Sequence, residues 1–302
     1  MNIKKVGLTA LAASLVSVSA YAGEMSVSGG ASIGLKNTSK TSSGKSWTMG
    51  NQLTFSGSGE LDNGLNVALS FILDQDDDTT QTESKREENS PFDSHSVTIS
   101  SDALGSLVFT GEGASSAQSA IDTTAAGDAW DNGSSIDSPK SSESGNNSML
   151  YTLPTIIDDV TLVGSYSPGG TGGPSATAWR VGYTGVEGLS VDYAEGQIET
   201  TSAPGDVTTM KASYAISSFT LSASNTEYDA ASNDETVTSY NVAYTVSDDL
   251  SIAYGTETIE TQGSATDEEA EKFNVSYTTG GVTVSATPVS YTHLRAHETS
   301  RN

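Results

Sequence analysis

The sequence contains no cysteine, and only 13 of its 302 residues are lysine or arginine. Without cysteine, disulfides cannot hold the chain together outside the cell, and another source of stability is required. The basic residues face 38 acidic ones, which gives a formal net charge of −25. This balance argues against nucleic acid as a partner, because nucleic-acid binding depends on neutralising phosphates. It instead favours cations near the surface of the protein.

Long hydrophobic runs are also missing, apart from one short run at the N-terminus. Residues 1–22 are typical of a signal peptide, with Lys4 and Lys5, an apolar stretch over 6–18, and an Ala20-Tyr21-Ala22 cleavage site. The alternative, a membrane anchor helix, needs about 20 apolar residues. Without the two leader lysines, 11 basic residues of the original 13 remain against 38 acidic ones, a charge of −27. The sequence therefore predicts export.

Between residues 25 and 288, runs of alternating apolar and small polar residues take the place of long apolar segments. In Leu250-Ser251-Ile252-Ala253-Tyr254, for example, a β-strand would put the two kinds of side chain on opposite faces. A hydrophobic content of only 35% suits a barrel that needs apolar residues on its outer face alone. We predict fifteen strands, over 25–36, 47–61, 65–73, 95–101, 107–113, 147–153, 160–166, 177–184, 189–196, 207–216, 219–226, 236–246, 250–256, 271–279 and 282–287.

The connections between these predicted strands alternate between short turns and long acidic segments. The long segments are predicted over 37–46, 74–94, 114–146, 167–176, 197–206, 227–235 and 257–270. Bacterial outer-membrane barrels show this asymmetry, with short periplasmic turns and longer external loops. The fold class predicted is therefore an all-β, transmembrane, antiparallel β-barrel. Such single-chain barrels have even strand numbers, so we expect a sixteenth strand beyond the fifteen.

The alternation is interrupted near residue 289. The stretch 290–299 contains two of the three histidines in the chain and is typical of translated sequencing-adapter sequence. We therefore expect 1–22 to be the signal peptide, 23–288 the barrel, and 289–302 a non-native tail that forms no strand. The natural chain is expected to continue into the closing strand.

Three short motifs, in this order and spacing, resemble the general porins of Gram-negative outer membranes. They are the turn Gly59-Glu60-Leu61-Asp62-Asn63-Gly64-Leu65, the strand–turn–strand segment 95–111, and the strand Asn147-Ser148-Met149-Leu150-Tyr151-Thr152-Leu153-Pro154. The resemblance covers essentially all of 23–288. It implies a sixteen-stranded barrel in the outer membrane lipid, a homotrimer, and a third external loop that folds into the pore. Outward parity of Gly29, Gly57, Gly164 and Gly182 agrees with subunit contacts.

The third loop corresponds to 114–146, which the resemblance makes the pore constriction. Its acidic candidates are Asp122, Asp128 and Asp131, with Glu112 at the base of the loop. In family members a cluster of basic residues lies on the facing wall of the pore. This chain has few candidates for such a cluster: Arg180 and Lys211, with Lys36 and Lys272 nearer the outer rim. This departure favours a negative lumen that prefers cations. The alternative is that the loop acids are only solvated external charge.

Other chemistry finds little support. Asp74, Asp76 and Asp78 form an acidic run that could bind calcium loosely, but the glycine and glutamate of an EF-hand are missing. A serine hydrolase needs a histidine base, and His95 is the one histidine before residue 289. We therefore predict no enzyme activity, no metal site and no cofactor.

The sequence thus predicts an outer-membrane channel for passive diffusion of small hydrophilic solutes and ions, with a preference for cations. The alternative is a non-conducting outer-membrane barrel whose loops serve adhesion. Segment 114–146 separates the two, because in the alternative it would be accessible to protease from outside.

Overall fold

A computed structural model describes residues 25–38, 44–74, 93–132, 140–144, 146–169, 174–199 and 204–295. The predicted signal peptide lies outside these residues, as do Asp76 and Asp78. Within the part described, no helix has the length and apolar character to cross a membrane. The chain divides into two compact units, Met1–Ala114 and Ser115–Asn302.

The first unit is an antiparallel meander of five strands. They are β1 (Met25–Thr38), β2 (Gly44–Glu60), β3 (Asn66–Asp74), β4 (Ser94–Ser101) and β5 (Gly105–Glu112). The turn between β2 and β3 is built as the sequence requires, since Gly64 has φ of +80° and Asn63 Oδ1 accepts a bond from the Leu65 amide at 3.2 Å.

The second unit is a longer antiparallel meander. Its strands are β6 (Ser148–Thr152), β7 (Val160–Ser167), β8 (Ala176–Tyr183), β9 (Leu189–Ile198), β10 (Gly205–Ile216), β11 (Phe219–Ala230), β12 (Glu235–Ser247), β13 (Leu250–Thr261), β14 (Thr266–Thr279), β15 (Val282–Ala286) and β16 (Val289–Arg295). Each strand from β6 to β14 pairs with the next one along the chain. All fifteen predicted strands are therefore present.

The two faces of the sheet follow the predicted parity. Large apolar side chains on one face stay exposed, as expected where lipid covers them; examples are Met210, Phe219, Leu221, Tyr240 and Phe273. The opposite face, called the inner face below, carries small and polar residues. The prediction that Gly182 faces outward is wrong, because its register partner is Asp192 on the inner face. A Cβ there would lie 2.8 Å from the Asp192 carboxylate.

Several strands of the second unit extend further into the predicted loops than the sequence indicated. Strand β11 runs on to Ala230, β13 runs on to Thr261, and β14 begins at Thr266. The connections there shrink to 231–234 and 262–265, so the predicted strict alternation of short and long connections is wrong at these two positions. The added residues are mainly Thr, Glu and Asp, whose polarity on both faces hides a strand from a pattern-based prediction.

The expectation that the tail forms no strand is wrong for Val289–Arg295, which is β16. Strand β16 pairs with β14 over Thr266–Lys272, next to the stretch of β14 that pairs with β15. The tail therefore extends the fifteenth strand along the same neighbour, after a break at Thr287 and Pro288. Proline has no N–H for a ladder, and the Pro288 carbonyl instead accepts a bond from the Phe273 amide at 3.1 Å. The non-native origin of the tail stays a prediction.

Candidate functional site

A connecting segment lies on the inner face of the second unit. Its described parts, 115–132 and 140–144, are called the inner loop below, and it contains two 3₁₀ turns, Ser119–Ile121 and Ala129–Asn132. Loop residues are usually exposed, yet eight side chains here are buried: Ser116, Ala117, Gln118, Ile121, Thr124, Ala126, Ala129 and Ser142. The segment is therefore packed onto the sheet along much of its length.

One line of register partners across the sheet carries most of this contact. These residues, called the anchoring row, face one another on consecutive strands β10, β11, β12, β13, β14 and β16; they are Lys211, Ser224, Ser239, Glu257, Ala270 and Tyr291. The inner loop runs along this row, so one segment contacts many strands that are distant in sequence.

The polar members of the anchoring row bond the loop backbone in chain order. Lys211 Nζ donates to the Thr123 carbonyl at 2.6 Å. The hydroxyl oxygens of Ser224 and Ser239 accept from the amides of the next loop residues, Ala125 at 2.8 Å and Ala126 at 2.9 Å. The Tyr291 hydroxyl donates to the Ala129 carbonyl at 2.6 Å. Backbone groups that water would otherwise solvate are thus paired with the wall.

Glu257 is the central member of the row, and its side chain is only 1% exposed. Its carboxylate accepts the Thr124 hydroxyl, the Ala129 amide at 2.7 Å and the Trp130 amide at 3.5 Å. A buried carboxylate is costly unless several donors satisfy it. The inner loop supplies those donors from residues 124–130, called the loop tip below. Glu257 and the loop tip therefore stabilise each other.

A second attachment holds the start of the loop to its return segment. The fully buried Gln118 donates from Nε2 to Thr209 Oγ1 at 2.8 Å and accepts the Ser142 amide at 2.7 Å. The Ser116 and Ser142 hydroxyls are 2.5 Å apart. Gly196 makes this approach possible, because a Cβ there would lie 2.5 Å from Ser142.

The predicted acidic residues occupy different environments. Asp122 follows the first 3₁₀ turn, and burial raises the pKa of its carboxyl, although a hydrogen bond with Ser141 opposes that shift. The Asp128 carboxylate accepts the Thr124 amide at 2.9 Å and so closes the loop tip. The side chain of Asp131 lies outside the described part of the structure. Glu112 ends β5 in the first unit, where its register partner is His95.

The predicted basic residues of the wall are already paired. Arg180 Nε lies 3.1 Å from Asp192 Oδ1, and Lys211 bonds the loop as described. Lys272 is not near the outer rim as predicted, since it lies at mid-strand in β14 and its Nζ donates to the Gly127 carbonyl at 2.6 Å. Lys36 lies near the end of β1 in the first unit.

Sequence reasoning missed Glu257 and Gln118. Glu257 fell just beyond the predicted end of its strand, although its parity with Ser251 and Ala253 places it on the inner face. Nothing in the sequence marked Gln118. Among the described residues, no group of three or more histidine, aspartate or glutamate side chains could hold a metal ion.

The model of a protein family described as Gram-negative porin matches residues 7–296. No curated protein matches the chain. Among solved structures, a triple mutant of the Rhodopseudomonas blastica porin has 15% identity and a TM-score of 0.67, covering 88% of this chain and 94% of that one. An anion-selective porin from Comamonas acidovorans has 13% identity and a TM-score of 0.63, covering 90% of each chain. Salmonella typhi OmpF, in complex with daunomycin, has 10% identity and a TM-score of 0.61, covering 88% of this chain and 98% of that one.

Proposed function

Because this chain belongs to the Gram-negative porin family, and so is an outer-membrane β-barrel channel for small solutes, we propose that its inner loop narrows a cation-preferring pore. One observation carries the proposal: the inner loop is hydrogen-bonded to the inner face of β10, β11, β12, β13 and β14 instead of extending away from the sheet. A segment held there reduces the open cross-section. It also favours a channel over an adhesion protein, whose loops must be accessible outside.

Charge supports the preference for cations. The chain carries 38 acidic residues against 13 basic ones. Arg180 is compensated by Asp192, and Lys211 lies close enough to Asp122 to influence its charge. Carboxylates that line a pore concentrate cations and exclude anions. The Comamonas acidovorans protein is an anion-selective porin of similar fold, so selectivity follows from side chains and not from the barrel.

The selectivity proposal is tested with the full chain in planar bilayers under a KCl gradient. We expect the wild type to give a reversal potential with the same sign as the K⁺ equilibrium potential. Replacing Asp122, Asp128 and Asp131 by Asn should move that potential toward zero, while the same change at Asp62 in the β2–β3 turn should not. An anion preference in the wild type would refute the proposal, and an unchanged potential in the triple variant would remove these three residues from it.

We also propose a homotrimer, which the outward Gly29, Gly57 and Gly164 support as positions where neighbouring subunits could approach closely. Mass measurement of the detergent-solubilised protein tests this proposal. A monomeric mass under conditions where the barrel stays folded would contradict it.

A further inference from the structure

We propose that the polar cavity beside the loop tip is a binding site for small hydroxylated carboxylates of the sugar-acid class. This inference rests on the proposed function, since it places the site next to the constriction. The cavity has a volume of about 390 Å³ and lies between loop residues 125–127 and strands β12 to β14. That volume falls within the range of small-molecule sites.

Lys272 gives the cavity its charge. Its ammonium has three N–H donors, and one of them is used by the Gly127 carbonyl at 2.6 Å. The remaining donors can bind a carboxylate, and a charge-assisted hydrogen bond of this kind is stronger than one between neutral groups. The bond to Gly127 also fixes the position of the ammonium against the loop.

Neutral polar groups surround this charge. Asn241 and Lys272 are the register partners of Gly255 on its two sides, and Asn274 is the next inner-face residue along β14. Thr287 Oγ1 donates to Asn274 Oδ1 at 2.8 Å. Carboxamides and hydroxyls of this kind can both donate and accept, which suits the hydroxyl groups of a sugar-like solute.

A small side chain leaves room for such a solute, and the charge of the lining suits its carboxylate. Ala253 forms part of the wall of the cavity with only a methyl side chain. None of the described residues that line the cavity is acidic. The neighbouring Glu257 is already occupied by three donors from the loop. The cavity is therefore a place of positive charge within an acidic chain, and a solute with both a carboxylate and hydroxyls fits it better than a neutral or cationic one.

The experiment uses the full chain in planar bilayers, with gluconate as the probe and glucose as its neutral counterpart. Gluconate is expected to cause brief, concentration-dependent reductions of the ion current beyond those seen with glucose. Lys272→Met should raise the gluconate concentration for half effect by about tenfold, since it removes one charge-assisted bond. Asn274→Leu, which keeps Lys272 and its bond to the loop, should also weaken the effect.

Lys36→Met is the control, because it removes one lysine charge at a β1 position that does not line the cavity. It should leave the gluconate response unchanged. The proposal is overturned if wild type responds equally to gluconate and glucose, if the two lysine variants shift the response equally, or if Asn274→Leu has no effect. The KCl reversal potential, measured on the same membranes, tests the cation preference separately.

Discussion

Two adjacent rows of residues on the inner face have the same parity, but the inner loop covers them to different extents. The anchoring row is covered by the loop, with Ser239 fully buried and Glu257 at 1% exposure. The next row toward the short turns, called the cavity row, contains Asn241, Gly255 and Lys272. Gly255 is buried, whereas Asn241 and Lys272 stay partly exposed and line the cavity. The two rows are about 7 Å apart along the strands. Parity therefore tells which face a residue occupies, whereas its place along the strand decides how completely the inner loop covers it.

The largest expected effect comes from breaking the anchoring row at its centre. Glu257→Leu leaves the Ala129 amide and the Thr124 hydroxyl buried without their acceptor, at a cost of about 3 kcal/mol in loop docking. The loop should then become sensitive to protease, and single-channel currents should become larger and noisier. Ser251→Ala, on the same face of β13 and away from the loop contacts, is the control. A protease-resistant loop with unchanged currents would show that Glu257 is not needed to hold it.

A smaller effect is expected where Gly255 of the cavity row contacts the inner loop. A Cβ at Gly255 would lie 2.6 Å from the Ala126 Cβ and 3.0 Å from the Tyr240 carbonyl oxygen. Gly255→Ala should therefore weaken loop docking by about 1 kcal/mol and speed loop cleavage by about fivefold. Gly164→Ala makes the same change where nothing lies within 4 Å, and should leave cleavage unaffected. Equal rates in the two variants would mean that the loop has room to adjust.

The smallest effect is expected for Asp122, an inner-loop residue whose carboxylate is not hydrogen-bonded to either row. Burial raises the pKa of Asp122 above the ordinary value of 3.8, so its carboxyl takes up a proton at a higher pH than an exposed aspartate. As pH falls through that raised pKa, the cation preference should decrease. The reversal potential of Asp122→Asn should be lower at neutral pH and flatter over the same range. If wild type and variant titrate in parallel, another carboxylate sets the pH dependence.

The sequence was sufficient for the strands and their faces because alternation between lipid and water repeats along nearly every strand. It was not sufficient where both faces are polar, which is why Glu257 was assigned to a loop. Its role also depends on partners far away in the chain, such as Thr124 and Ala129. Lys272 shows the same limit, since its distance from the loop depends on the register between strands and not on local pattern.

The bonds between the inner loop and the anchoring row also stabilise the register between neighbouring strands. Neighbouring strands of a meander are joined edge to edge, and a slip by two residues would preserve the parity of every side chain. The loop amides and carbonyls of 123–129, however, meet one specific residue on each of several strands. A slip of any one strand would separate its partner from the loop. The segment proposed to narrow the pore thus also fixes the alignment of the wall behind it.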